Sequence, residues 1–226
     1  WGHDIIPWKP SAPDSGRGVQ TSDQNQNNRT NWDSTSASDP KSALLSPLLQ
    51  AVTDRDRERV EQLLESGVSP DVTNQKGETP LMIAAYEGDE AIVKSLLQAG
   101  ADPDQKEKEW GVTPLMYASF QGHLKVVSLL LQAGADPDVK NREGWTALMC
   151  AAFAGRPQTV KMLLQAGANP DLTTRDGWTA YELALLTERE KTMKIMEQMG
   201  VSASGQGDAS KFTANQDMLR LFQGRE

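Results

Sequence analysis

Four aspartates recur through the chain, Asp71, Asp104, Asp138 and Asp171, in the phrases SPD, DPD, DPD and NPD. Repeated carboxylates first suggest calcium, which needs about six to eight oxygens gathered at roughly 2.3–2.6 Å around one ion. These four come one to a unit, and packed helical units stand about 8–10 Å apart, too far for equivalent residues to share an ion. Aspartate also accepts hydrogen bonds from turn backbone, so these read as structural residues. The same spacing separates Met82, Met116 and Met149 as ligands for a soft metal. Methionine is a common filler of cores, and that is the role expected of them. His3 and His123 are the only histidines and Cys150 the only cysteine. A Ser or Cys nucleophile needs a neighbouring base, and none is evident near Cys150. Without a glycine-rich phosphate loop either, the expectation is a non-enzyme with no catalytic residue, no metal and no cofactor.

The residues that stand out instead are aromatic. The stretch "GWTALMCAAFAG", Gly144 to Gly155, holds Trp145 between a turn glycine and a threonine that can start a helix. Thr79, Thr113, Thr146 and Thr179 lie 34, 33 and 33 residues apart, and Ser46 stands 33 before Thr79. Gly67, Gly100, Gly134, Gly167 and Gly200 keep the same beat. A fixed period in this range marks a solenoid, whose units bury their apolar faces only against neighbours.

One unit shows how the pattern folds. In "KGETPLMIAAYEG", Gly77 suits a turn, Thr79 is an N-cap, and Pro80 takes the first helical position, where its missing N–H costs nothing. Leu81, Ala84 and Ala85 form an inward face, with the alanines small enough to let the next helix approach. "DEAIVKSLLQAG" is a second helix with Ile92, Val93, Leu96 and Leu97 on its buried stripe, stopped at Gly100. A loop then runs out and back to the next unit.

"TPLMIAA", "TPLMYAS" and "TALMCAA", each followed by a helix ending "LLQAGAD" or "LLQAGAN", resemble ankyrin repeats over about 160 residues. The resemblance implies an all-α ankyrin-repeat solenoid of five helix–turn–helix units with protruding hairpin-like loops. The units run about 42–74, 75–107, 108–140, 141–173 and 174–201. Where the family often has His, Met82, Met116 and Met149 stand, so apolar packing is expected to replace the hydrogen bonds of that His. Terminal repeats need a polar outer face. Gln50 and the charged run Arg55 to Arg59 fit this at one end, Thr192 and Glu197 at the other, so the array is expected to be complete without the tails.

In ankyrin arrays the loop tips and first helices line one concave surface where partners commonly bind. Mapped onto this sequence, that surface presents Lys76 and Glu78, then Trp110 and Val112, then Trp145, then Trp178, with Tyr86, Phe120, Phe153 and Leu186 at the ends of the first helices. Tyr86, Trp110, Phe120, Trp145, Phe153 and Trp178 are the candidate partner-binding residues, because aromatic side chains are favoured interface anchors. The alternative is that the rings brace adjacent turns.

Net charge is −8 over 226 residues, and the isoelectric point is about 4.9. This argues against nucleic acid or an anionic membrane surface as the main partner. No run of about 18 apolar residues could span a bilayer, although attachment to a membrane-bound complex stays open. One cysteine allows no internal disulfide and does not reveal the compartment.

Residues 1–41 are rich in Ser, Asp, Asn, Gln and Pro and should be flexible. The apolar cluster Trp1, Ile5, Ile6 and Trp8 at their tip reads either as an untied terminus or as a docking arm, in cis or in trans. Trp1 at the start points to a removed signal or transit peptide, or to a chain trimmed there. The former favours a periplasmic, secreted or organellar location over the cytoplasm. Residues 202–226 begin as a linker and continue into "FTANQDMLRLFQ", where Met218, Leu219 and Phe222 fit a short amphipathic helix. The expected function is a protein-binding module, an adaptor or accessory subunit of a larger assembly, with no homo-oligomer. The alternative is an inhibitor or immunity-type protein that occludes an enzyme.

Overall fold

The computed structural model describes residues 46–202; the arm residues Trp1, Ile5, Ile6 and Trp8, and the segment around Met218, lie outside the described residues. Ten helices form five pairs among the described residues. These are α1 (Pro47–Thr53) with α2 (Arg57–Glu65), α3 (Pro80–Glu87) with α4 (Glu90–Gln98), and α5 (Pro114–Gln121) with α6 (Leu124–Gln132). α7 (Ala147–Phe153) with α8 (Pro157–Gln165) and α9 (Ala180–Leu186) with α10 (Glu190–Gln198) complete the series. No strand is formed among the described residues.

The recurring threonine starts each first helix from the second pair onward. The Thr79 hydroxyl oxygen accepts the Met82 N–H at 3.2 Å, and Thr113, Thr146 and Thr179 do the same for Met116, Met149 and Glu182. The methionines are fully buried. Met82 also uses its sulfur, which accepts the Thr79 N–H at 3.4 Å. In the last pair Glu182 closes the same reciprocal cap with a carboxylate, at 2.8 Å from the Thr179 nitrogen.

Odd-numbered helices pack in one row and even-numbered helices in a second. From α3 to α9 the odd row is the closer packed. Ala84, Ala85, Ala118, Ala151 and Ala152, all buried, leave room for backbones to approach. The loops are stitched to one another through main chain. The Lys108 N–H donates to the Lys76 carbonyl at 2.9 Å, Arg142 to Trp110 at 2.8 Å and Arg175 to Glu143 at 2.9 Å.

The aspartate ladder is a second line of stitches. The Asp71 carboxylate accepts the Asp102 N–H at 3.0 Å, Asp104 accepts that of Asp136 at 3.0 Å, and Asp138 accepts that of Asn169 at 2.8 Å. Each carboxylate therefore holds the next unit. The bonds within the same turn are made by the preceding residues, as Asp102 does for the Asp104 N–H at 2.9 Å.

A third ladder, not anticipated from sequence, closes the first helices. The His123 Nε2 lies 3.0 Å from the Tyr86 carbonyl oxygen, and Arg156 Nε donates to the Phe120 carbonyl at 3.1 Å. A basic side chain from the following unit thus meets the negative end of α3 and of α5. It lies directly over the left-handed residue between the paired helices, so a Cβ on Gly122 would sit 2.7 Å from Arg156 Cδ. The end units have non-glycine residues there, Arg55 at φ 56° and Glu188 at φ 53°. Arg55 is followed one unit on by the short Asp89.

The ends correct one expectation. Thr192 is not part of a polar outer face: it is 1% exposed, like Thr159 at the same register of the inner unit before it. Glu197 is exposed, and its carboxylate accepts the Tyr181 hydroxyl at 2.8 Å. Leu185 is 36% exposed, although Ala85, Ser119 and Ala152 at its register are 0% exposed. The C-terminal end of the array therefore presents apolar surface.

Candidate functional site

The six candidate aromatics come from two places in each unit, the loop before the first helix and the last turn of that helix. Every one of them is half-buried and rests against the core. The structure brings Trp145 and Phe153 together, edge to face at 5.4 Å between ring centroids and 78° between planes. Tyr86 meets Tyr117 of the next unit at 6.0 Å and 86°. Such pairs contribute about 0.5–1.5 kcal/mol beyond the area they bury. Bracing is therefore part of what these rings do.

Two points of register differ from the sequence expectation. Trp145 and Trp178 follow their turn glycines, whereas Trp110 precedes Gly111. The loop 107–113 is one residue longer than 74–79, and Trp110 takes the stitching position held by Lys76 and Glu143. Val112, expected on the surface, fills the register of Trp145 but is fully buried. Lys76 is exposed and Glu78 half-buried in the corresponding loop.

The backbone N–H of each described tryptophan is held by a polar side chain that the sequence reading passed over. A Glu107 carboxylate oxygen accepts the Trp110 N–H, Asn141 Oδ1 accepts that of Trp145 at 2.8 Å, and Thr174 Oγ1 accepts that of Trp178 at 3.1 Å. These three residues are buried. Their signal in the sequence is a polar residue three or four positions before each Trp, which resembles ordinary loop composition. Glu107 also accepts the Glu109 and Val112 N–H groups, so its buried carboxylate is satisfied by backbone donors. In the loop 74–79 the Asn74 amide donates to Glu78 at 2.7 Å. Trp145 replaces that glutamate in the loop 141–146, and the Asn141 amide nitrogen, buried, has no acceptor among the described residues.

Tyr117 lies beneath this row. Burial, with the negative charges of Glu78 and Glu107 adding to it, holds its phenol well above the usual tyrosine range, so it stays neutral. Burial likewise pushes the Cys150 thiol far up, which leaves it protonated and unreactive. No group of three or more His, Cys, Asp or Glu side chains is placed to hold a metal ion among the described residues. No described helix is long and apolar enough to cross a membrane.

A family model of three ankyrin-repeat copies matches residues 48–141, and a second, for many copies, matches residues 121–164. The chain belongs to the ankyrin-repeat family. The two matches together run through more than half of the chain, from the first helix pair to the fourth. No curated protein matches it. The ankyrin-repeat fold is a non-catalytic scaffold that mediates protein–protein interactions, and the aromatic row is carried on that scaffold.

Proposed function

We propose that this ankyrin-repeat chain is an adaptor or accessory subunit whose loop-and-first-helix face binds a protein through Tyr86, Trp110, Phe120, Trp145, Phe153 and Trp178. The observation that carries the reading is the fixing of each tryptophan backbone by a buried acceptor, Glu107, Asn141 or Thr174. A fixed main chain under each ring, with the ring itself packed against the core, leaves less conformational freedom to lose on binding, which raises affinity for a given contact area. Half-buried rings also keep apolar edges available to a partner, and Trp and Tyr are the residue types that dominate binding hot spots.

The experiment is site-specific photo-crosslinking in the source organism. One probe replaces Trp178 and another replaces Lys161, exposed on α8. The reading expects one protein to be captured from position 178 and not from 161, and captured less when Trp145→Glu is added. That variant gives the Asn141 amide the acceptor that Asn74 finds in Glu78, so the loop keeps its fold while the ring is lost. Equal capture with and without Trp145→Glu, or capture from position 161 alone, would overturn the assignment.

A further inference from the structure

Charge is spread unevenly along the units that carry the aromatic row. At the turn between paired helices the first two units hold Asp56 and Asp89, whose carboxylates accept the Arg59 and Ile92 N–H groups. The next two units hold His123 and Arg156 at that register. In the loop before the first helix, the register of Gln75 is taken by Lys108, then Arg142, then Arg175. In sequence, the fourth unit therefore brackets its Trp145–Phe153 pair with Arg142 and Arg156. Both arginines are exposed, and neither meets a carboxylate at ion-pair distance among the described residues. Other cations are occupied: Arg55 pairs with Glu87, Lys125 lies 3.3 Å from Glu90, and the Lys140 ammonium donates to the Thr173 carbonyl at 3.0 Å. Glu143, next to Arg142 in the chain, lies 3.6 Å from Arg175 of the following unit instead.

The two arginines rest at opposite ends of α5. A Cβ added at Gly111, just before that helix, would sit 3.4 Å from Arg142 Cγ, and one at Gly122, just after it, 2.7 Å from Arg156 Cδ. α5 has eight residues, a length of about 12 Å, so the arginines call for two acidic side chains rather than one. In the same unit the buried Asn141 amide lacks an acceptor among the described residues, and Trp145 stands where Glu78 supplies one in the loop 74–79. In a chain of net charge −8 this is a local reversal of sign. Guanidinium groups without a carboxylate, set about an aromatic pair, select for carboxylates flanking an apolar side chain. We propose that the partner offers the fourth unit an acidic segment, with an apolar side chain on Trp145 and Phe153 and carboxylates on Arg142 and Arg156. The proposal rests on the aromatic face being the binding surface and adds the chemistry of what binds there. Asp56 and Asp89 disfavour the same segment at the first two units, which fixes its place along the array.

The test uses the full chain, with a displayed library of random peptides as the probe. Peptides selected on the unaltered chain are titrated against Arg142→Glu, Arg156→Glu, Trp145→Ala and Lys161→Glu. The expected result is enrichment of Asp and Glu around an aromatic or aliphatic residue, with affinity that falls as salt rises. Each arginine reversal should weaken binding about threefold or more, the scale of an exposed ion pair turned to repulsion. Lys161→Glu makes the same change in net charge on α8 and should alter affinity less than about twofold. Arg142 is stitched to Trp110 through its main-chain N–H, which Arg142→Glu keeps, so that variant reads charge even if Arg156→Glu loosens the turn at Phe120. Acidic peptides that bind both arginine variants as well as the unaltered chain overturn the proposal, as does equal weakening by Lys161→Glu. Peptides that lose affinity with Trp145→Ala but carry no acidic excess over the starting library overturn the charge assignment and leave the aromatic face standing. A selection that yields no peptide dependent on Trp145 overturns both.

Discussion

Two glycines with nearly the same backbone conformation should differ in what an alanine costs. Gly134 has φ 92° and Gly144 φ 82°, both left-handed. That conformation costs an L-residue about 1–2 kcal/mol. Alanine returns about 0.4–1 kcal/mol by restricting the unfolded chain. For Gly134→Ala nothing else enters, since an added Cβ meets no atom within 4 Å, and the net loss is about 0.5–1.5 kcal/mol. At Gly144 the Cβ falls 2.9 Å from the Arg175 nitrogen and 3.0 Å from the Thr174 carbonyl carbon and Cα. These are main-chain atoms of the next unit and cannot swing aside. The loops must separate, which removes the bond from the Arg175 N–H to the Glu143 carbonyl and adds about 0.5–1.5 kcal/mol before any loss of packing at Trp145. Gly144→Ala should therefore cost about 1–3 kcal/mol before any loss of packing. For a chain of this size that lowers the melting temperature by about 2–12 °C. Urea unfolding of the full chain, followed by circular dichroism, measures both variants. Equal losses at the two positions would show that the loop tips do not depend on close approach between units.

Other consequences follow from single groups. Trp145→Ala with Phe153→Ala should weaken partner binding by about 2 kcal/mol or more and also lower stability, because the rings pair with each other and rest on the core; a binding assay beside a melt separates the two losses. Arg156→Ala leaves the Phe120 carbonyl without that donor and should cost about 1–2 kcal/mol by urea unfolding, with Lys161→Ala on the exposed side of α8 close to neutral. Desolvation, then the neighbouring Asp136 and Asp102 charges, raise the Asp104 pKa above 3.8, against the opposing bond from the Asp136 N–H. The folded form then binds this proton more readily than the unfolded form, so the contribution of Asp104 is greatest below 3.8 and is lost as pH rises through its folded value. Asp104→Asn keeps the acceptor for Asp136 and should flatten that slope in melts run from acid to neutral pH. Addition of a chelator should leave the melting temperature within error, and a reproducible fall would restore the aspartates or methionines as metal ligands.

The period, the helix starts and the buried stripes were legible because each depends on residue type at fixed spacing. A threonine before Pro or Ala, followed three residues on by Met or Glu, can only cap a helix in this setting, and the four caps form as expected. What joins one unit to the next was far less legible. The aspartates accept from partners 31 or 32 residues away, and His123 and Arg156 reach carbonyls 37 and 36 residues back. Nothing in local composition marks such partners; they exist only once the stacking distance is fixed. Thr192 was misjudged for a related reason. Polarity suggested an outer face, but a threonine side chain is small enough to be buried at a position that a valine also fills.

The aromatic row shows where sequence reasoning divides. Residue type alone poses binding and bracing as alternatives, yet a half-buried ring that rests on the core is compatible with both. Trp145 illustrates the trade. The chain has a working version of this loop in 74–79, where Glu78 satisfies the asparagine amide. At 141–146 the same asparagine is kept and its side-chain acceptor is exchanged for an indole, which removes a hydrogen bond worth about 0.5–1.5 kcal/mol. The edge-to-face contact with Phe153 returns about 0.5–1.5 kcal/mol of that loss. Covering of the ring by the proposed partner would add a contribution on the order of 2 kcal/mol, the hot-spot scale for an aromatic. Trp145→Glu should therefore lower the stability of the free protein less than Trp145→Ala does, because it restores an acceptor for the Asn141 amide, and it should still weaken the complex. Equal stability losses in the two variants would show that the acceptor contributes nothing.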